Sequence, residues 1–554
     1  MKTLESKIIV MVGCLLLLFS PATFSQTQYI GNWEGLFMDD FKTIIELNAV
    51  KNDSYSGTIQ MFSGSNLIQD DEITKISIIE NLLTFKIESK DTEFKGEFNK
   101  EFSELDGNFI FPDNSLHPIK LLKVKNSNLT EINQGETNSD LKTKKYSIDE
   151  LKEDSNYLVE QLEQNHPQLY RYISKDKFYG LINFPMQSID SELTVVEYFN
   201  LIAPIIESIK CSHTGIRLPE NYQKTINSSG NFLPIKLLLT GNKAFCISNY
   251  SNSEILPGNE ILSINNISIQ NIKEKLYKYV PSDGDNETTK DYQLNHNFNS
   301  YYNLIDNSNT FEIEYLNSDT KLKTSVKACK YSEVNKNNEV GRDEMPIEFF
   351  LSKENKVGRL KVKSFMINDI NKYIQKMDGI FQLLHNEKIQ NLILDLRGNS
   401  GGHPIFAAQL LSYLTDKEFT YFERNNDVKE FEPLYNKMQP NKIQFEGKIY
   451  VFIDGGCLST TGHFISLLKY HSNAIFIGQE PGSTFRCNDF SIKVTLPNTK
   501  IEANIPRTTF ETAIGEKEKM NSFTLDYNVC ISIEDYLSGT DSYVKLVNTL
   551  IRKS

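Results

Sequence analysis

Asn391-Leu392-Ile393-Leu394-Asp395-Leu396-Arg397-Gly398-Asn399-Ser400-Gly401-Gly402 is the stretch that decides the fold. Its apolar run, ending at Leu396, reads as a buried strand of a parallel sheet. The strand runs into a loop with three glycines, and residues without side chains let backbone N–H groups approach a ligand closely. A second unit of the same kind follows: a strand from Lys448 to Asp454, then Gly455-Gly456-Cys457-Leu458-Ser459-Thr460-Thr461-Gly462. The first loop is suited to supply an oxyanion hole and the second a nucleophile.

Alternating elements surround these units. Strand Gly358–Val362, a helix near Asn368–Leu384, strand Leu392–Leu396 and a helix near Pro404–Leu414 come first. Strand Ile449–Ile453, a helix near Thr461–Tyr470 and strand Ala474–Ile477 follow. This alternation predicts a layered α/β core over residues 345–554. Upstream the patterning changes. Residues 26–130 show period-two segments with recurrent glycines, as in Phe94-Lys95-Gly96-Glu97-Phe98 and Leu105-Asp106-Gly107-Asn108-Phe109, and predict an antiparallel barrel or sandwich with Trp33 in its core. Residues 126–146 are polar and read as a linker. Ser147-Ile148-Asp149-Glu150 is a capping box opening a helix to about Gln164, within a helical segment over 145–225. Residues 226–335 return to strands. There Leu256-Pro257-Gly258-Asn259-Glu260-Ile261-Leu262-Ser263-Ile264-Asn265-Asn266 resembles the turn and strand of PDZ domains, which capture a peptide end by adding it to a sheet edge.

The formal net charge is −13 and no Lys/Arg block stands out; Lys142–Lys145 is a short solvated stretch. A nucleic-acid binder needs a basic footprint, so that class is excluded. Lys2 and Lys7 precede the apolar run Ile8–Phe19, and Thr23-Phe24-Ser25 supplies small residues for cleavage, so residues 1–25 read as a secretory signal peptide. A run of twelve apolar residues is too short to span a bilayer, and no other segment is long and apolar enough. The mature chain is therefore expected outside the cytoplasm, without a membrane span. Six cysteines follow the signal, with Cys457 and Cys487 candidates for a disulfide and free thiols the alternative.

Ser459 sits after a strand and before an apolar helix, where a nucleophile is exposed at the carboxyl edge of the sheet and the helix N-terminus stabilises negative charge. The Thr460 N–H and one from Gly401 or Gly402 are candidate oxyanion donors. Ser459 as a plain helix cap is the alternative. A serine nucleophile needs a base. His403, His463, His471 and His213 are candidates, and spacing alone does not choose among them.

Leu394-Asp395-Leu396-Arg397-Gly398-Asn399-Ser400-Gly401-Gly402, then Leu458-Ser459-Thr460, then Phe476-Ile477-Gly478-Gln479-Glu480 resemble the core of the carboxy-terminal-processing (tail-specific) serine peptidases. Asp526-Tyr527-Asn528-Val529, Ile533–Leu537 and Asp541 are similar to that family's closing segment. The resemblance implies a ClpP/crotonase-like peptidase core joined to the PDZ-like domain, the helical segment and the N-terminal β domain. One branch of the family takes its base from a lysine beyond the serine. Here that stretch reads Gly482-Ser483-Thr484-Phe485-Arg486, and arginine does not deprotonate. The other branch, resembling the tricorn core and the interphotoreceptor retinoid-binding proteins, uses an adjacent Ser-His pair, which Ser212-His213 matches. The resemblance thus implies Ser459 as nucleophile, His213 as base, Ser212 as its orienting group, and Gly401 and Thr460 as oxyanion donors. That branch also carries a carboxylate near the carboxyl end, for which Glu516 and Glu518 are the candidates. Gly462 stands where many members have an acidic residue.

The implied activity is serine endopeptidase action on unfolded polypeptides or peptide ends. An inactive relative that binds a peptide or lipid is the alternative, and Cys457 as nucleophile is a third reading. The sequence contains no His-Glu-x-x-His, paired Cys-x-x-Cys or P-loop, and neither metal nor other cofactor is expected. The oligomeric state is not readable from the sequence.

Overall fold

The computed structural model describes residues 28–37, 41–50, 54–63, 66–79, 81–112, 115–124, 138–335, 345–426, 428–520 and 523–553. The signal-peptide reading lies outside these residues. The chain forms two compact units, Met1–Glu136 and Thr137–Ser554.

In the first unit, eight strands from β1 (Gly31–Phe37) to β8 (Leu116–Lys123) pair antiparallel with their neighbours, and β1 pairs with β8, closing a barrel. Strict alternation drives the closure. Along Thr92–Phe98 every second residue is buried, and Trp33, Phe85, Phe94, Leu105 and Phe109 fill the interior. The Trp33 indole N–H donates to the Tyr29 carbonyl at 3.1 Å. The recurrent glycines pair across strands as Gly96 opposite Gly107, with the Phe94 ring lying over both.

The second unit begins earlier than the linker reading allowed. Residues 138–143 are helical, and the Lys142 ammonium donates to the Ser229 carbonyl at 3.0 Å. Helix α1 (Ile148–Asn165) starts at the capping box, with Ser147 and Glu150 bonded reciprocally. Helix α2 (Val195–Glu207) buries Tyr198, Phe199, Ile202 and Ile206 on one face. Both helices pack on Val494, Leu496, Ile501 and Ile505 of the carboxyl-terminal region, so the helical segment shares a core with a small sheet formed late in the chain. The buried Asp154 of α1 accepts hydrogen bonds from the Asn498 and Thr499 amides at 2.8 and 2.9 Å. The short strand β9 (Gly215–Arg217), just after His213, enters a three-stranded sheet described below.

Strands β10 (Ile235–Thr240), β11 (Lys243–Asn249), β12 (Glu260–Ile264), β13 (Thr310–Asn317) and β14 (Thr320–Lys327) form an antiparallel sheet in that order. Asn265 and Asn266, both at positive φ, make the turn read from the PDZ-like motif. Helix α3 (Glu287–Ile305) lies along β10. Its Asn295 carboxamide bonds both the N–H and the C=O of Leu239, and Asn299 donates to the Leu233 and Ile235 carbonyls. The helix thus takes up part of the strand's hydrogen-bonding edge, and a cavity lined by Leu237, Leu239, Tyr292 and Asn295 runs between the two elements.

The core sheet runs in the order β15 (Ile347–Ser352), β16 (Val357–Val362), β17 (Asn391–Asp395), β18 (Lys448–Ile453), β19 (Ile475–Gly478) and β24 (Tyr527–Asn528). Only the β15–β16 pair is antiparallel. Every residue of β17 is buried, as expected for a central parallel strand. Helices α4 (Ile370–Asn386), α5 (Pro404–Ser412) and α6 (Thr460–His471) cover one face, with Phe381, Leu410, Leu411, Phe464 and Leu468 packed in the largest apolar cluster. Helix α8 (Ser542–Lys553) covers the other through Tyr543 and Val547. Beyond β19, β20 (Arg486–Asp489) pairs with β23 (Thr508–Glu511), while β21 (Ile492–Thr495) and β22 (Glu502–Ile505) join β9. A short helix, α7 (Glu516–Met520), precedes β24.

Candidate active site

Ser459 stands between the loop after β18 and α6, with φ 52° and ψ −125°. That conformation is rare for a residue with a Cβ and marks backbone strain held by the surrounding packing. Ser459 makes no side-chain cap on α6, so its hydroxyl is not engaged by the helix it precedes. The side chain is 8% exposed, and its hydroxyl faces the Cys487 thiol.

The glycine loop lies directly against it. A Cβ on Gly401 would sit 2.9 Å from the Ser459 Cβ and 3.1 Å from the Thr460 nitrogen. Gly402, at φ 137°, presses so closely on Phe365 that a Cβ would come 2.2 Å from its carbonyl carbon. The Gly401 N–H, expected as an oxyanion donor, is engaged by the Asn399 Oδ1 at 2.9 Å. Neither the Gly402 N–H nor the Thr460 N–H has an acceptor among the described residues. The Thr460 hydroxyl donates to the Gly402 carbonyl and clamps the two loops together. Asp454 Oδ1 accepts from the Gly398 and Gly456 amides, at 2.9 Å each, and braces the same junction.

The charged residues of the first loop are structural. Asp395, fully buried, is bonded by Arg397 at 2.8 Å and by Arg359 at 2.6 Å, and Arg397 reaches on to Asp541 at 2.8 Å. Burial alone raises the Asp395 pKa, but the hydrogen bonds from Arg397 and Arg359 outweigh it and hold the carboxyl below its usual range. The network pins the end of β17 to the start of α8.

Ser212 and His213 lie in the turn between α2 and β9. Asn504 of β22 donates to the His213 carbonyl at 2.7 Å, and Gly215 pairs with Asn504 across the sheet. The Ser212 Oγ lies 3.2 Å from the His213 Nδ1. The turn meets the Ser459 side at β20: Asn488 donates to the Cys211 sulfur at 3.5 Å, and the Cys487 sulfur lies 3.3 Å from the Nε2 of His463, one turn along α6 from Ser459. Burial first, and then nearby His213, push His463 down to about 3, so it stays neutral.

A residue that sequence reading did not single out joins these pieces. Asp283 Oδ1 accepts from both the Ser212 Oγ and the Ser212 N–H, at 2.8 Å each, and its Oδ2 accepts from the Ser483 Oγ at 2.7 Å. Ser483 packs against Gly462, where a Cβ would come 2.4 Å from its carbonyl carbon, and that close approach accounts for the glycine at this position.

The other candidates are engaged elsewhere. His403 caps α5 through Nδ1 and faces Glu430 through Nε2 at 3.0 Å. Arg486 pairs with Glu511. Glu516 is bonded to Lys519 at 2.9 Å, and Glu518 folds over Gly515, so neither expected carboxylate bonds Ser212 or His213. All six described cysteines are free thiols, the alternative left open beside a Cys457–Cys487 disulfide. The Cys457 thiol is fully buried, donates to the Leu396 carbonyl at 3.1 Å, and is pushed well above its usual range by burial, which removes it as nucleophile. Among the described residues, no group of three or more His, Cys, Asp or Glu is arranged to hold a metal, and no helix is long and apolar enough to cross a membrane.

Residues 356–501 match the model of peptidase family S41. No curated protein matches the chain. Among solved structures, mature CPAF aligns with a TM-score of 0.53 at 14% identity, over 74% of this chain and 98% of that one. Mature CPAF complexed with lactacystin gives 0.54 at 14% identity, over 74% and 99%. At that identity the likeness speaks for the fold, while the family match falls on the segment carrying both the glycine loop and Ser459. The family S41 match and the likeness in fold therefore meet on the segment that carries the glycine loop and Ser459.

Proposed function

We propose that this chain is an exported endopeptidase that cuts unfolded polypeptide with Ser459 as nucleophile and His213 as base. The observation that carries the reading is the Ser459 backbone: a strained φ of 52° holds a hydroxyl that no helix cap engages, beside two N–H groups without acceptors among the described residues. In the reaction, the Ser459 oxygen attacks the peptide carbonyl as His213 takes the hydroxyl proton. The Thr460 and Gly402 amides hold the resulting oxyanion, Gly402 replacing the engaged Gly401. His213 then protonates the leaving amine, and water, activated by the same imidazole, releases the acyl group. Ser459 is 8% exposed, which favours an extended chain over a folded surface as substrate. The amino-terminal apolar run supports export to a periplasm or cell surface.

The test is labelling with a fluorophosphonate alongside cleavage of a reduced, unfolded protein. Labelling and cleavage are expected in the wild type and absent from Ser459→Ala, while His213→Gln lowers both by several orders of magnitude. A folded wild type that takes no label and cuts nothing would instead support a ligand-binding relative.

A further inference from the structure

We infer that Asp283, on the segment leading into α3, is the carboxylate that orients the base. The inference rests on the peptidase reading of Ser459 and His213. Ser212 has one hydroxyl proton to donate. Asp283 faces it at 2.8 Å, and an ionised carboxylate only accepts, so that proton points at Asp283. The Ser212 oxygen then turns a lone pair to His213 Nδ1, 3.2 Å away, and the hydrogen bond there must come from an Nδ1–H. That tautomer leaves Nε2 unprotonated, which is the form able to take a proton from a serine hydroxyl. Without Asp283 the Ser212 hydroxyl is free to rotate and donate to Nδ1, which favours the Nε2–H tautomer that cannot act as base.

The position of Asp283 is over-determined. The Gly284 N–H bonds the Lys210 carbonyl at 3.0 Å, and Lys210 pairs with Asp285, which ties the segment to the Ser212 turn. Asn286 donates to the Pro481 carbonyl at 3.0 Å, and the Thr288 and Thr289 hydroxyls donate to the Glu480 and Gly455 carbonyls at 2.7 and 3.1 Å. These bonds tie the same segment to the loops around Ser459. Asp283 sits where the two anchorages meet, and its second oxygen holds Ser483. The α7 carboxylates are turned to Lys519 and Gly515 and make no such bond.

Three measurements on the full chain test the inference. The first is the tautomer of His213 in the wild type, read from 15N shifts with histidine-selective labelling; Nδ1–H is expected, and Nε2–H would overturn it. The second is Asp283→Ala, with rates expressed per fluorophosphonate-labelled serine so that lost folding does not count as lost catalysis. We expect kcat to fall about 10- to 100-fold, the scale of a misplaced catalytic group, with KM within about twofold. The third is the double variant Ser212→Ala/Asp283→Ala, which should lose no more than Ser212→Ala alone because both act along one path. An unchanged kcat in Asp283→Ala, or losses that multiply in the double variant, would overturn the role of Asp283. Failure of the peptidase reading itself is distinguishable, since the wild type would then take no label.

Discussion

Replacing Ser459 by glycine should stabilise the protein relative to replacing it by alanine, although both changes remove the proposed nucleophile. The reason is the backbone. Alanine inherits the φ of 52° and ψ of −125°, and a non-glycine residue held in so sparsely populated a region costs about 1–3 kcal/mol. Glycine adopts it freely but loses about 0.5–1 kcal/mol more conformational freedom on folding. The difference leaves glycine ahead by roughly 0–2.5 kcal/mol. The unit spanning Thr137–Ser554 has about 400 residues, and unfolding entropy of about 2.1 cal/mol/K per residue gives roughly 0.8 kcal/mol/K. The glycine variant should therefore melt about 0–3 °C above the alanine variant by scanning calorimetry. A glycine variant that melts below the alanine variant would show that the elbow stores no strain and that some other contact sets its geometry.

Two further outcomes follow from the packing and the buried histidines. Gly462→Ala puts a Cβ 2.4 Å from the Ser483 carbonyl carbon; it should cost about 1–3 kcal/mol in urea unfolding and lower kcat by shifting the residue that Asp283 holds, so wild-type values of both would refute the close approach. His463 and His166, pushed down by burial to about 3 and about 4, stay neutral in the fold but take up protons in the unfolded chain below about pH 6.5. Stability should accordingly fall from pH 6.5 towards 4 by about 1.4 kcal/mol per pH unit for each, and His463→Gln should roughly halve the slope; urea midpoints equal at pH 7 and 4.5 would contradict this.

The sequence was most legible where structure is locally encoded. The run Leu392–Leu394 became the middle of the central strand because burial on both faces demands apolar residues at successive positions, while the buried Asp395 at its end is held by arginines, and the capping box at Ser147 opened α1 as read. In the barrel, alternation alone predicted which face is buried. Asp283 was not legible for the opposite reason. It lies among Pro281, Ser282, Gly284 and Asn286, which read as an ordinary turn, and its partners are 71 and 200 residues away. The loss of Gly401 as a donor was equally hidden, since only the folded loop brings the Asn399 carboxamide onto its amide. The reason for Gly462 became visible only with the Ser483 backbone beside it.

The route by which Asp283 joins Ser212 to Ser483 also bears on when the proposed activity can appear. Contacts between such remote stretches close late, because the intervening loops must be ordered before the bonds repay them. A chain still emerging from synthesis lacks the paired segments, and so, on the proposed role of Asp283, lacks an oriented base. The proposed activity thus arrives only with the finished fold.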